Sequence, residues 1–73
     1  MEKSFDSSLI KTGDYNSKEK ELTITFPLGK KYVYYSVPAN IWSDLISAES
    51  AGQYFTKNIK GKYNYKQIAW KSK

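Results

Sequence analysis

Leu22-Thr23-Ile24-Thr25-Phe26-Pro27-Leu28-Gly29-Lys30-Lys31-Tyr32-Val33-Tyr34-Tyr35-Ser36-Val37 is the stretch whose reading decides the fold. Two runs of alternating β-branched and aromatic residues flank a Pro/Gly segment, which is the pattern of a β-hairpin. Pro27 suits position i+1 of a type I turn, and Gly29 then falls where a positive φ is needed and forms a bulge, so that Lys30 pairs with Phe26. Counting back sets Tyr32 opposite Ile24 and Tyr34 opposite Leu22. Leu22, Ile24, Phe26, Tyr32 and Tyr34 therefore share one face. A two-residue turn at Leu28-Gly29 would slip the register by one and send both tyrosines to the other side. The bulged turn is preferred because it puts both special residues where they are needed. The opposite face, with Thr23, Thr25, Val33 and Tyr35, is semi-polar and suited to stay wet.

Working outward, residues 1–6 show no periodicity and read as a disordered N-terminus. Ser7 to Tyr15 reads as a first strand with a bulge near Gly13, and Asn16 to Lys20 as a polar turn into the hairpin. Pro38 fits the first turn of a helix. Ile41, Trp42, Leu45 and Ile46 then form one apolar stripe that ends near Ala48 or Glu49 and should cover the tyrosine-bearing face, with Trp42 in the core. Ser50-Ala51-Gly52-Gln53 is a capping box. The second helix it opens carries Tyr54, Phe55 and Ile59, and Gly61 is placed to end it as a left-handed C′ residue. The fold class is α+β: a three-stranded antiparallel β-meander followed by two short helices packed on one face, with Tyr63 and Tyr65 alternating as in a short C-terminal strand. Residues 7–65 make the domain and 66–73 a basic aromatic tail. Trp70 has two open readings, packed on the body or exposed for a partner.

Composition narrows the function. The 73 residues include neither cysteine nor histidine, so disulfide staples and the usual zinc ligands are excluded and no metal or cofactor is expected. A chain this short must hold its core by aromatic burial. No apolar run approaches the roughly 20 residues of a membrane span, and Met1-Glu2-Lys3-Ser4 opens no signal peptide, so a soluble cytoplasmic protein is expected. The net charge of +5 is unevenly spread: residues 51–73 hold Lys57, Lys60, Lys62, Lys66, Lys71 and Lys73 and no acid, whereas residues 1–50 hold six lysines against seven acids. That asymmetry is the footprint of an anionic partner, although a solvated lysine face or favourable helix C-terminal charges would leave the same trace.

The ordered features also resemble a known small domain. Ser7-Ser8, Tyr15-Asn16, Leu22-x-x-x-Phe26-x-x-Gly29, Tyr32-x-Tyr34-x-x-Val37-Pro38, Ser50-x-Gly52-x-x-Phe55 and Ile59-Lys60-x-x-Tyr63 together look like the KTSC domain, over roughly residues 7 to 65. That family takes its name from the C-terminus of some lysyl-tRNA synthetases and also occurs alone in small bacterial and phage proteins, which would put a phage-encoded copy in the host cytoplasm. The resemblance implies an RNA-binding role. This chain departs from the family pattern at Asn16, where Asp is usual, at Thr56, where Asn is frequent, and at Lys60 and Lys62, where relatives carry arginine. Lysine at those two positions would weaken any planar, bidentate contact to phosphate or guanine.

Catalysis is the least favoured class, because the common general base and soft nucleophile are missing and Ser50 is committed to capping. The leading expectation is RNA or single-stranded nucleic-acid binding through Lys57, Lys60, Lys62 and Lys66, with Tyr54, Tyr63, Tyr65 and Trp70 available for stacking. The alternative is a module for a phosphorylated small molecule such as a nucleotide, or for a protein partner, with the edge strand Tyr32 to Val37 free to pair with a second copy as a homodimer.

Overall fold

The computed structural model describes residues 1–69. An antiparallel sheet runs in simple sequence order: β1 (Glu2–Ser4), β2 (Thr12–Asn16), β3 (Glu21–Thr25), β4 (Lys31–Tyr34) and β5 (Tyr65–Ala69). Two helices, α1 (Ala39–Ser47) and α2 (Ala51–Asn58), separate β4 from β5. The class is α+β as the sequence indicates, but among the described residues the sheet has five strands, where a three-stranded meander with a short C-terminal strand was expected.

The hairpin pairs Leu22 with Tyr34 and Ile24 with Tyr32, which is the register the Pro/Gly segment dictates. Phe26 N–H donates to the Lys30 carbonyl at 2.8 Å. The turn itself differs in type. Leu28 takes φ 78° and ψ −1°, the i+2 position of a type II turn, and Gly29 N–H donates back to Phe26 O at 3.1 Å. Gly29 keeps the positive φ expected of it, 92°. Both turn types span the same residues, so the pairing is unaffected, but a leucine is held in a left-handed conformation that costs about 1–2 kcal/mol.

Two strands lie outside the meander. Residues 2–4, expected to be disordered, pair with β2 through Glu2–Asp14, Lys3–Gly13 and Ser4–Thr12. Their side chains are all exposed, so no apolar alternation marked them; the ladder holds them, with the flanking Met1 ammonium donating to Tyr15 O at 3.1 Å and Phe5 packed against the core. The expected first strand, Ser7 to Tyr15, is regular only from Thr12; ahead of it Ser7 Oγ accepts from Leu9 N–H at 3.0 Å in a local turn that buries Ile10 and leaves Leu9 half exposed. On the other side, β5 pairs with β4 through Tyr34–Tyr65, Val33–Lys66 and Tyr32–Gln67. β4 is therefore an interior strand, and the edge expected to be open from Tyr32 onward is filled by the chain's own β5. Val33, expected on a wet face, is buried between Thr23 and Lys66 for the same reason.

Both helices cover one face. Pro38 caps α1, and Trp42 and Leu45 are buried, whereas Ile46, counted in the stripe, is exposed. Ser50 Oγ accepts from Gln53 N–H at 3.3 Å to open α2. Gly61 has the expected positive φ of 77° but stands one residue beyond C′, because Ile59 is the C-cap. A Cβ at Gly13 would meet the Phe5 and Trp42 rings at 3.0 Å, and one at Gly52 would meet Ser7 Oγ at 2.6 Å and Leu9 at 2.9 Å. Those two close approaches are what let α1 and α2 lie flat on the sheet.

Candidate functional site

The register puts Tyr15, Leu22, Tyr34 and Tyr65 in one row across β2, β3, β4 and β5 on the helix-covered face. Tyr32 stands two residues from Tyr34 on the same face. Tyr32, Tyr34 and Tyr65 form a cluster of rings, stacked with centroids 5.3 Å apart and planes 12° apart for Tyr32 and Tyr65, and tilted at 5.6 Å and 36° for Tyr34 and Tyr65. Tyr32 and Tyr34 are 6.5 Å apart. Phe26 and Phe55 close the cluster edge-on: Phe26 against Tyr32 at 5.3 Å, and Phe55 against Tyr34 at 5.7 Å. Such offset and edge-to-face pairs are the favoured aromatic geometries.

Between this cluster, the Pro27–Gly29 turn and the end of α2 lies a groove of about 580 Å³. Phe26, Tyr32, Tyr34, Phe55 and Tyr65 form its aromatic walls, and its cations are Lys30 from the turn and Lys60 from just past α2. Among the described residues that line it, none is acidic. Leu28 stands at the mouth, 78% exposed. Thr56 lines it too, with its hydroxyl donating to Gly52 O at 2.9 Å, which leaves the oxygen able to accept.

Tyr34 is only 3% exposed, yet its hydroxyl, like those of Tyr32 and Tyr65, makes no hydrogen bond among the described residues. No buried polar side-chain atom among them lacks a partner, so the Tyr34 oxygen must reach the groove rather than sit sealed in the core. Burial, and then the neighbouring Tyr32 and Tyr65, push its pKa up to about 12. It is a neutral O–H donor throughout the physiological range.

A second concavity, of about 410 Å³, opens on the helix-free face and is lined by Met1, Asp14, Tyr15, Asn16, Ser17, Glu21 and Thr23. Its side chains bring acids and no lysine, opposite in charge to the groove.

The candidate residues named from sequence are sorted by this geometry. Lys60 and Tyr65 line the groove. Lys66 pairs with Val33 and so faces the helix-free side. Tyr54 is half-buried on α2, its hydroxyl 3.5 Å from Asp44 Oδ2 on α1, and burial followed by that carboxylate raises its pKa. Tyr63 packs partly buried against the core. Lys57 and Lys62 are exposed and outside the groove lining. Trp70 lies outside the described residues. Lys30, Tyr32, Tyr34 and Thr56 were not among the candidates. The signal for the tyrosines was already in the hairpin register, which put Tyr32 and Tyr34 on one face; what it could not supply was an opening above them.

Residues 6–63 match the model of the KTSC domain family. A lysine–tRNA ligase of Nostoc punctiforme is 42% identical over 64 residues, 88% of this chain and 11% of the ligase, so the chain spans about a tenth of that relative's length. A protein of Tsukamurella paurometabola is 34% identical over 58 residues, covering 80% of this chain and 87% of that one. The crystal structure of a KTSC domain protein from Yersinia pestis superposes with a TM-score of 0.87 at 31% identity, over 94% of this chain and 97% of the other. The chain belongs to the KTSC domain family.

Proposed function

We propose that this KTSC domain is a non-catalytic binding module for single-stranded nucleic acid, with RNA favoured, and that the aromatic groove is its binding site. The observation that carries the reading is the meeting of exposed ring surface and cations in one concavity, with no acid among the described residues that line it. Tyr65, 56% exposed, offers a face on which an unpaired base can stack, worth about 1–3 kcal/mol per base. Lys60 stands beside it to take a phosphate, and the exposed Lys57 and Lys62 extend positive charge along the same end of the chain. The preference for RNA is supported by the Nostoc relative, a ligase named for a transfer RNA. The chain contains no histidine or cysteine, which supports a binding rather than a catalytic role. Without arginine it should read sequence weakly.

Fluorescence anisotropy of a labelled single-stranded RNA at two salt concentrations tests this. With about four lysines on phosphates, log affinity should fall with log salt at a slope near about −3. Failure to bind at low salt overturns the proposal. A second reading is favoured by the groove's size: about 580 Å³ suits a single nucleotide or similar phosphorylated molecule. A nucleotide that binds while RNA does not would select it.

A further inference from the structure

We infer that the groove is an oxyanion site in which the Tyr34 hydroxyl, flanked by those of Tyr32 and Tyr65 and by the Lys60 ammonium, donates to the oxygens of a phosphate group. The inference rests on the nucleic-acid reading only for the source of that phosphate, not for its chemistry.

Three observations carry it. First, Tyr34 is almost wholly buried and its hydroxyl has no partner among the described residues. The residue is buried but its oxygen is not sealed, so the hydroxyl opens on the groove. It is therefore free to donate to an acceptor that enters there. Second, the three phenol rings are gathered on neighbouring positions of two paired strands, their centroids 5.3 to 6.5 Å apart. Side chains stand up from a sheet, so the three hydroxyl ends rise from the same face into the groove that Lys60 also lines. Third, the groove supplies donors and positive charge, and none of the described residues that line it brings a carboxylate. A phosphate, which only accepts once ionised, complements such a set, and hydrogen bonds to a charged acceptor are about twice as strong as neutral ones. The raised pKa of Tyr34 keeps its proton in place as a donor.

The source of the phosphate separates into experimental arms. Amide shifts of the full chain are followed by nuclear magnetic resonance as inorganic phosphate, adenosine, adenosine 5′-monophosphate or a short oligoadenylate RNA is added, and each titration is repeated with Tyr34→Phe and with Tyr15→Phe. The expected result is that the phosphate-bearing probes shift Tyr34, Lys60 and Gly61, that adenosine alone does not, and that Tyr34→Phe weakens the binding of those probes about ten- to hundredfold while Tyr15→Phe leaves it unchanged. Thermal melts of both variants establish that each is folded. If adenosine binds as well as its monophosphate, or if Tyr34→Phe binds like the wild type, the oxyanion site is overturned. Should RNA bind while the groove amides stay still, this inference fails and the nucleic-acid reading survives without it. Conversely, phosphate or the monophosphate in the groove with no RNA binding sustains the inference and removes the nucleic-acid reading.

Discussion

Tyr15 and Tyr34 stand on either side of Leu22 in the same row of the sheet, on the same face and nearly equally buried, yet they are used differently. Tyr15 closes one end of the core. Its ring stacks on Trp42 at 5.8 Å with planes 11° apart, and its hydroxyl donates to the Val37 carbonyl at 2.6 Å, so every polar atom there is satisfied inside the protein. Tyr34 belongs to the other end, where its ring packs against Tyr65 and Phe55 and its oxygen is left for the groove. Burial alone does not separate a tyrosine whose hydroxyl is satisfied inside the protein from one whose hydroxyl opens on the groove. What separates them is where the hydroxyl's hydrogen bond goes.

The largest effect that would sharpen this contrast is loss of the closed end. Trp42→Ala should cost about 3–5 kcal/mol, a large part of the stability available to a domain of this size, and chemical denaturation measures it. A cost below about 1 kcal/mol would show that Tyr15 and Trp42 do not anchor the core.

Alkaline titration probes the open end. In the folded chain Tyr34 holds its proton up to about pH 12, against 10.0 for an ordinary tyrosine, so between those values the folded state binds more protons than the unfolded one. Stability is full below about pH 10 and falls as pH rises toward 12, by at most about 3 kcal/mol at about 1.36 kcal/mol per unit. Tyr34→Phe should remove that part of the alkaline loss. Burial also raises the pKa of Tyr15, so its part should remain in the variant, and identical alkaline profiles for the two proteins would break the assignment.

Removing single oxygens gives the smaller effects. Tyr15→Phe strands the Val37 carbonyl and should cost about 1–3 kcal/mol. Tyr34→Phe removes an oxygen without a protein partner and should change stability at neutral pH by less than about 0.5 kcal/mol, or raise it. Thermal melts of the two variants side by side decide the matter: equal losses would mean that both hydroxyls are structural.

Much of the fold was legible because local chemistry and tertiary structure agree on it. Pro27 and Gly29 favour one of two pairings of the hairpin, and that pairing is the one found. Ser50 could only cap, and it does; Trp42 lay within a helical stripe and is buried. β1 was not legible, because Glu2, Lys3 and Ser4 bury nothing and exist as a strand only through hydrogen bonds to β2. The candidate lysines could be gathered from the sequence by their charge but not sorted by position. Lys60 and Lys66 look equivalent in a basic run, whereas one borders the groove and the other projects from the opposite face.

By itself, then, the sequence carried the family resemblance across its length and selected the hairpin register, the Ser50 cap of α2 and the shared face of Tyr32 and Tyr34, since each of those three depends on residues close together in the chain. Tertiary structure alone decided that β5 returns beside β4, that Tyr65 joins Tyr32 and Tyr34, and that Lys60, just past α2, lines the same groove as they do. Contacts between residues about thirty positions apart leave no periodic trace in a single sequence, and only the packed sheet and helices bring their side chains within reach of one another.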